Sequence, residues 1–161
     1  QLVFDSQPTR YLMGRVANNI ELKDMFIAGE GSFTITCADP IKYDLVETSK
    51  ASTSNVVTVN YTGLEKATTK FEITLASDCT NITITHKETK EVTSLLGSFK
   101  TGQKIIIDSD KKSVKLNDVV SMKLVNLEND WLYLEEGTNT FTLTTSVGTA
   151  PQFTLKYRNS N

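Results

Sequence analysis

Leu132-Tyr133-Leu134-Glu135-Glu136-Gly137-Thr138-Asn139 runs directly into Thr140-Phe141-Thr142-Leu143-Thr144-Thr145. The stretch reads as strand, tight glycine turn, then strand. Gly137 has no Cβ and takes backbone angles that other residues avoid. Asn139 is a turn former whose side chain can bond its own backbone. Beyond it, alternation places Phe141 and Leu143 on one face and threonines on the other, the pattern of a half-buried strand. No reactive group stands in the stretch. The first expectation is a β-sandwich surface that performs no chemistry.

At 161 residues the chain has room for one or two small domains and can bury roughly two-thirds of its surface. The hydrophobic share of 39% is slightly low, and threonine, at more than twenty residues, fills the gap. Being β-branched and polar, threonine suits the solvent face of a strand. A formal net charge of −2 with lysines and acids interspersed offers no field to draw DNA or anionic lipid. Neither nucleic acid nor a membrane is expected as a partner. No apolar run approaches the roughly 20 residues of a membrane span. Gln1-Leu2-Val3-Phe4-Asp5 lacks the basic region and long apolar core of a secretory leader. Residue 1, not being methionine, is not expected to be the biological start. Cys37 and Cys79 show no metal or redox spacing. A disulfide between them stays open, and two buried free thiols are the expectation.

Period-two patterning continues along the chain. Leu2-Val3-Phe4 and Tyr11 to Val16 read as strands joined through Ser6-Gln7-Pro8-Thr9, and Asn19 to Ile27 as a loop or single helical turn closed at Gly29-Glu30-Gly31. Ser32 to Cys37 alternates as a strand before Asp39-Pro40 punctuates the chain. Glu47 to Asn55 turns small and polar, which reads as a linker or long loop. Strands are then predicted at Val56–Tyr61, Phe71–Leu75, Ile82–His86, Lys104–Asp108, Ser113–Leu116, Leu124–Leu134, Phe141–Leu143 and Gln152–Arg158. Asn117-Asp118 is a two-residue hairpin signal. Strands at roughly ten-residue spacing with almost no helix predict an all-β fold, an antiparallel sandwich or jelly roll.

Chemistry is sparse. His86 is the only histidine, so zinc sites needing two imidazoles are excluded. Its parity with Ile82 and Ile84 points it toward the core or a strand end. A nucleophilic hydrolase needs a nucleophile, a base and an orienting group, and no nucleophile elbow is present. The pairs Asp108/Asp110 and Glu135/Glu136 could serve as glycosidase carboxylates, which must face each other across a cleft. Asp108-Ser109-Asp110 opens like a calcium loop, but Lys111 and Lys112 follow where ligands or glycine belong. No catalytic residue, metal or cofactor is assigned. Trp131 and Tyr133 alternate with Leu132 and Leu134, so one pair faces inward and the other elsewhere; as aromatics on a sandwich they are the candidate ligand-binding residues, although beside a Leu-x-Leu pattern core packing is the favoured reading for the tryptophan. Asn60-Tyr61-Thr62 and Asn81-Ile82-Thr83 match the glycosylation pattern, as chance allows in so threonine-rich a chain.

Two blocks together resemble the distal tail protein of siphovirus-type bacteriophages and prophages. The first is Arg10-Tyr11-Leu12-Met13-Gly14-Arg15-Val16 with Gly31-Ser32-Phe33-Thr34-Ile35-Thr36-Cys37-Ala38-Asp39-Pro40-Ile41-Lys42-Tyr43. The second comprises Gly102 to Asp108, Val114 to Asp118, Trp131 to Asn139, and Phe153 to Arg158. Residues 44 to 96 match only in strand character. Asp118 and Glu136 stand where the family often has glycine and proline, which puts those local turns in question.

The resemblance implies that residues 1–43 are the last strands of an N-terminal ring domain and residues 44–161 a galectin-like β-sandwich. It implies a structural, non-enzymatic component of the tail tip that forms a homo-hexameric ring when complete. The implied partners are the tail tube, the tail-associated lysin and receptor-binding protein. The implied location is the virion tail, with assembly in the bacterial cytoplasm. No residues match the His-x-Asn-x-Arg sugar-contact pattern of galectins, so the fold carries no sugar-binding claim by itself. The alternative function is a carbohydrate-binding module for bacterial wall glycans, resting on Trp131 and Tyr133.

Overall fold

The computed structural model describes residues 1–17, 33–52, 54–147 and 151–160. The loop or helical turn expected over Asn19–Ile27 and the turn at Gly29-Glu30-Gly31 lie outside the described residues. Two compact units divide the chain, Gln1–Val46 and Glu47–Ser160.

In the first unit, β1 (Leu2–Phe4) and β2 (Gln7–Leu12) form an antiparallel hairpin pairing Phe4 with Gln7. The second strand therefore starts earlier than the sequence suggests, with Asp5-Ser6 as the turn. Pro8 has no amide hydrogen to donate. It falls at the irregularity between the Phe4–Gln7 and Leu2–Leu12 pairs of β1, and β5 (Tyr43–Asp44) pairs only with Arg10 and Tyr11, so no registered pair calls on it. The strand expected to run through Val16 breaks at Gly14, where a Cβ would come within 2.4 Å of Leu2 Cδ1 and 2.7 Å of Ile35 Cγ2. It resumes as β3 (Arg15–Val16), paired with β4 (Ile35–Thr36). The expected Ser32–Cys37 strand is thus reduced to its centre, Ser32 lying outside the described residues. Asp39 organises the approach to β5: its Oδ1 accepts the Ile41 N–H (3.0 Å) and its Oδ2 the Tyr43 hydroxyl (2.8 Å). Cys37 is exposed, against the expectation of two buried thiols, while Cys79 is buried and both are free.

The strands of the second unit are, in chain order, β6 (Thr48–Ser52), β7 (Val56–Tyr61), β8 (Ala67–Thr68), β9 (Lys70–Thr74), β10 (Cys79–His86), β11 (Val92–Phe99), β12 (Lys104–Asp108), β13 (Ser113–Leu116), β14 (Val119–Val120), β15 (Tyr133–Leu134), β16 (Gly137–Thr145) and β17 (Gln152–Tyr157). They build a four-stranded sheet, β11-β10-β16-β7, and a six-stranded sheet, β14-β13-β12-β9-β17-β6, with β15 and β8 paired separately. Every pairing is antiparallel. Alternation drives this arrangement, because each strand must hide one apolar face. Val57, Ile82, Ile84, Phe141 and Leu143 from one sheet meet Phe71, Ile73, Ile105, Ile107, Phe153 and Leu155 from the other in a single core. Phe71 joins the layers, edge-on to Phe141 at 5.2 Å and stacked on Phe153 at 5.6 Å. The all-β sandwich is the observed fold.

Three local expectations are corrected. The small polar stretch after Glu47 is not a linker: Thr48–Ser52 is an edge strand whose single ladder is supplied by β17. An edge strand needs one partner and no apolar face, which is why composition disguised it. Leu124–Leu134 is not one strand. It begins with the end of a 3-10 turn, Met122–Leu124, Val125 then makes a single bridge to Leu95, and only Tyr133–Leu134 forms a strand. Between them Asn129 and Asp130 use side chains where a strand would use backbone: Ser94 N–H donates to Asn129 Oδ1, Asn129 Nδ2 donates to Ser94 O, and Val92 N–H donates to Asp130 Oδ2. Finally, Gly137 sits in no hairpin. β15 pairs with β8 while β16 pairs with β10 and β7, so the chain changes sheets there, with Gly137 at φ +96°. The Asn117-Asp118 hairpin is present, with φ of +47° and +64° closing Leu116 against Val119. Val92–Phe99, which the sequence reading passed over, is a full eight-residue strand.

On the outer face of the six-stranded sheet, Glu72 lies among Lys156 (2.8 Å), Lys104 (3.5 Å) and Lys70 (3.9 Å). The hydrogen bond from Lys156 is the largest influence on Glu72, and its carboxyl titrates below the usual range despite partial burial. A carboxylate depressed in the folded state contributes stability above its unfolded value, lost as pH falls through the lower folded value. Glu72→Gln is expected to flatten the acid limb of a thermal-stability profile below about pH 4.5, while leaving stability near neutrality lowered by a constant amount.

Candidate functional site

The candidate aromatics lie where the chain enters and forms β15. Leu132 and Leu134 are fully buried, and Trp131 and Tyr133 are half-buried on the opposite parity, Trp131 packing its inner part on the core. Three contacts hold this short strand. Tyr133 is registered with Thr68 on β8. The buried Thr69 hydroxyl donates to Leu132 O at 2.7 Å. Just before Trp131, the Thr93 hydroxyl donates to Asp130 O at 2.6 Å. The backbone bearing both rings is therefore fixed from two sides.

Asn139 braces the far end. It is buried in β16, not in the turn itself, yet its side chain bonds the turn backbone as its residue type suggests. Oδ1 accepts the Glu135 N–H (2.9 Å), and Nδ2 donates to Glu135 O (2.7 Å) and Gly137 O (2.9 Å). Glu135 pairs with Lys66 Nζ at 2.6 Å. The hydrogen bond with Lys66 holds the Glu135 carboxyl below, and with Glu135 the Lys66 ammonium above, their ordinary values. Glu135 is thus engaged in a surface ion pair.

His86 is where its parity placed it, buried and stacked on Phe141 with centroids 4.5 Å apart. Nδ1 shares a 2.9 Å hydrogen bond with the Thr89 hydroxyl, and Nε2 faces Glu88 Oε2 at 3.4 Å. Burial acts to raise the Glu88 carboxyl, but the Thr140 N–H bonded to it (2.7 Å) leaves the net below normal. This is core packing with a polar edge. Asp108 accepts the Lys111 N–H at 3.0 Å, as a solvated turn does. Among the described residues no group of three His, Cys, Asp or Glu side chains is placed to hold a metal ion. What the geometry offers is rigid surface.

Comparison with known proteins gives this surface a context. Residues 62–160, the sandwich after its first two strands β6 and β7, match the family model described as siphovirus-type tail component, C-terminal domain. The distal tail protein of Bacillus phage SPP1 is 25% identical over 159 residues, covering 97% of this chain and 62% of that protein. The crystal structure of the SPP1 Dit protein, described as a paradigm of the hub adsorption apparatus in phages infecting Gram-positive bacteria, superposes with a TM-score of 0.75 at 16% identity, over 99% of this chain and 63% of that one. The chain therefore spans under two-thirds of the length of either relative. At that identity the superposition speaks for the fold, and the family model for kinship: the chain belongs to the siphovirus-type tail component family, through its C-terminal domain.

Proposed function

We propose that the chain is a structural component of a bacteriophage or prophage tail tip, at the distal tail and baseplate hub, and works through protein interfaces. In this reading residues 1–43 are the last strands of a ring domain and residues 44–161 a galectin-like sandwich. The complete protein forms a homo-hexameric ring between the tail tube and the tail-associated lysin and receptor-binding components. It is not an enzyme; it assembles in the bacterial cytoplasm and ends in the virion. The observation carrying the proposal is the family match across residues 62–160, supported by similarity along the chain to a distal tail protein. Immunogold electron microscopy of particles from the encoding strain is expected to label the tail end farthest from the head. Label on the head or along the shaft, or particles lacking the chain, would overturn it.

A second reading keeps the sandwich as a wall-glycan module, favoured by the parity that leaves Trp131 and Tyr133 half exposed while their neighbours are buried. Saturable quenching of Trp131 fluorescence, the only tryptophan, by purified wall glycan would support it. No change at millimolar sugar, or an equal change in Tyr133→Ala, would end it.

A further inference from the structure

The ring of His86, the one histidine of the chain, is stacked on Phe141 and edged by residues 87–91, the turn that joins β10 to β11. Nε2 is sealed from solvent and has no hydrogen bond among the described residues; it faces Glu88 Oε2 at 3.4 Å. Nδ1 lies 2.9 Å from the Thr89 hydroxyl, which in turn lies 3.1 Å from Glu91 Oε2. A hydroxyl carries one hydrogen, and a carboxylate only accepts. With the ring neutral, Nε2 holds the ring hydrogen, because a bare nitrogen there would oppose the Glu88 carboxylate. Nδ1 is then an acceptor and takes the Thr89 hydrogen, and Glu91 goes without it. With the ring protonated, Nδ1–H donates to Thr89 Oγ1, and the hydroxyl turns its hydrogen to Glu91. Both short distances are present together, and the protonated ring alone uses both.

We propose that His86 and Thr89 form a proton-operated clasp: a proton arriving at Nδ1 reverses the Thr89 hydroxyl, engages Glu88 and Glu91 with the ring, and closes the turn on the sheet. The turn needs such bracing. Lys90 sits in the left-handed region at φ +68°, a conformation that a side chain makes costly. Its N–H bonds His86 O, and Glu88 Oε2 accepts the Thr140 N–H of β16. From Glu91 the chain runs into Val92 and Thr93, whose N–H and hydroxyl hold Asp130, the residue before Trp131. A firm turn therefore steadies the backbone that presents Trp131. The remaining charges near the ring are already committed or lie outside. β16 brings Phe141 and Thr140, both uncharged. Glu135, held low first by its hydrogen bond with Lys66, also feels a charge on the ring, and Lys66 feels Glu91 more weakly than Glu135. Lys87 and Lys90 are exposed. An ion pair between the ring and Glu88 exists while the ring is charged, so its contribution is present on the acid side of the ring's titration and lost on the alkaline side.

This inference stands apart from both functional readings, since it concerns one ring and its turn, and it is tested on the 161-residue chain. The carbon-bound ring protons of the single histidine, followed by NMR from about pH 5 to about pH 9, report its titration directly. Glu88→Gln is expected to move the midpoint down by roughly 1 pH unit. Glu91→Gln and Thr89→Val should move it down by less, while Thr89→Ser, which keeps the hydroxyl, should titrate like the parent. Glu128→Gln, a neutralisation outside the clasp, should leave it in place. Glu88→Gln should also lower the melting temperature more at about pH 5.5 than at about pH 8.5. Midpoints that stay at the parent's value in Glu88→Gln, Glu91→Gln and Thr89→Val, or a folded ring that does not titrate across this range, would overturn the proposal.

Discussion

Phe141→Ala is expected to lower unfolding free energy by about 3–5 kcal/mol, the range for deleting a buried phenylalanine ring. Phe141 has no exposed surface and touches three surroundings at once: Phe71 across the layers, His86 beside it at 4.5 Å, and the ladders to β10 and β7. Removing the ring leaves a cavity that none of these can fill, because each is fixed by its own strand. The neighbouring Thr142→Ala is expected to cost under about 1 kcal/mol, its side chain pointing outward. Denaturant titration of both variants measures the contrast directly. Equal costs would mean that the parity of β16, and with it the assignment of inside and outside, is wrong.

Asn139→Ala should be the other severe lesion, costing about 2–4 kcal/mol. The amide is 1% exposed and makes three hydrogen bonds to the backbone of the turn it follows. Alanine would leave the Glu135 N–H and two carbonyls without that partner at the point where the chain passes from one sheet to the other. Asn139→Asp is the sharper control. It keeps the acceptor for Glu135 N–H but replaces the donor with a carboxylate oxygen facing two carbonyls. It should be at least as damaging as alanine near neutral pH. If both variants unfold at the parent midpoint in denaturant, the brace does not contribute to stability.

The strands that were legible are those whose cores alternate strictly, such as Val56–Tyr61, Ile82–His86 and Lys104–Asp108. Their inner residues are fully or nearly fully buried. β11 escaped because Leu95-Leu96-Gly97 breaks the alternation: Leu95 is buried, Leu96 exposed, and Gly97 leaves space taken by Leu124. β6 escaped because an edge strand of small polar residues has no period to read. Leu124–Leu134 misled because leucines and valines recur there, while the asparagine and aspartate side chains that replace the ladder act on residues some 35 positions away. The destination of a strand is a long-range property. Nothing local says that Tyr133 pairs with Thr68 while Thr142, a few residues on, pairs with Val56. For the candidate site, period two alone said that Leu132 and Leu134 share one face and Trp131 and Tyr133 the other, but not which pair is inward. It said nothing of what clamps them, Thr69 and Thr93.

The segment alongside β11 has a consequence for how the molecule survives crowding. By occupying the amides and carbonyls of Val92 and Ser94 with Asn126, Asn129 and Asp130, it denies a stray extended peptide the template on which fibrous aggregates grow. This plug, part side chain and part backbone, closes the border at Val92 and Ser94. Many copies can then be concentrated in a small space and remain discrete particles.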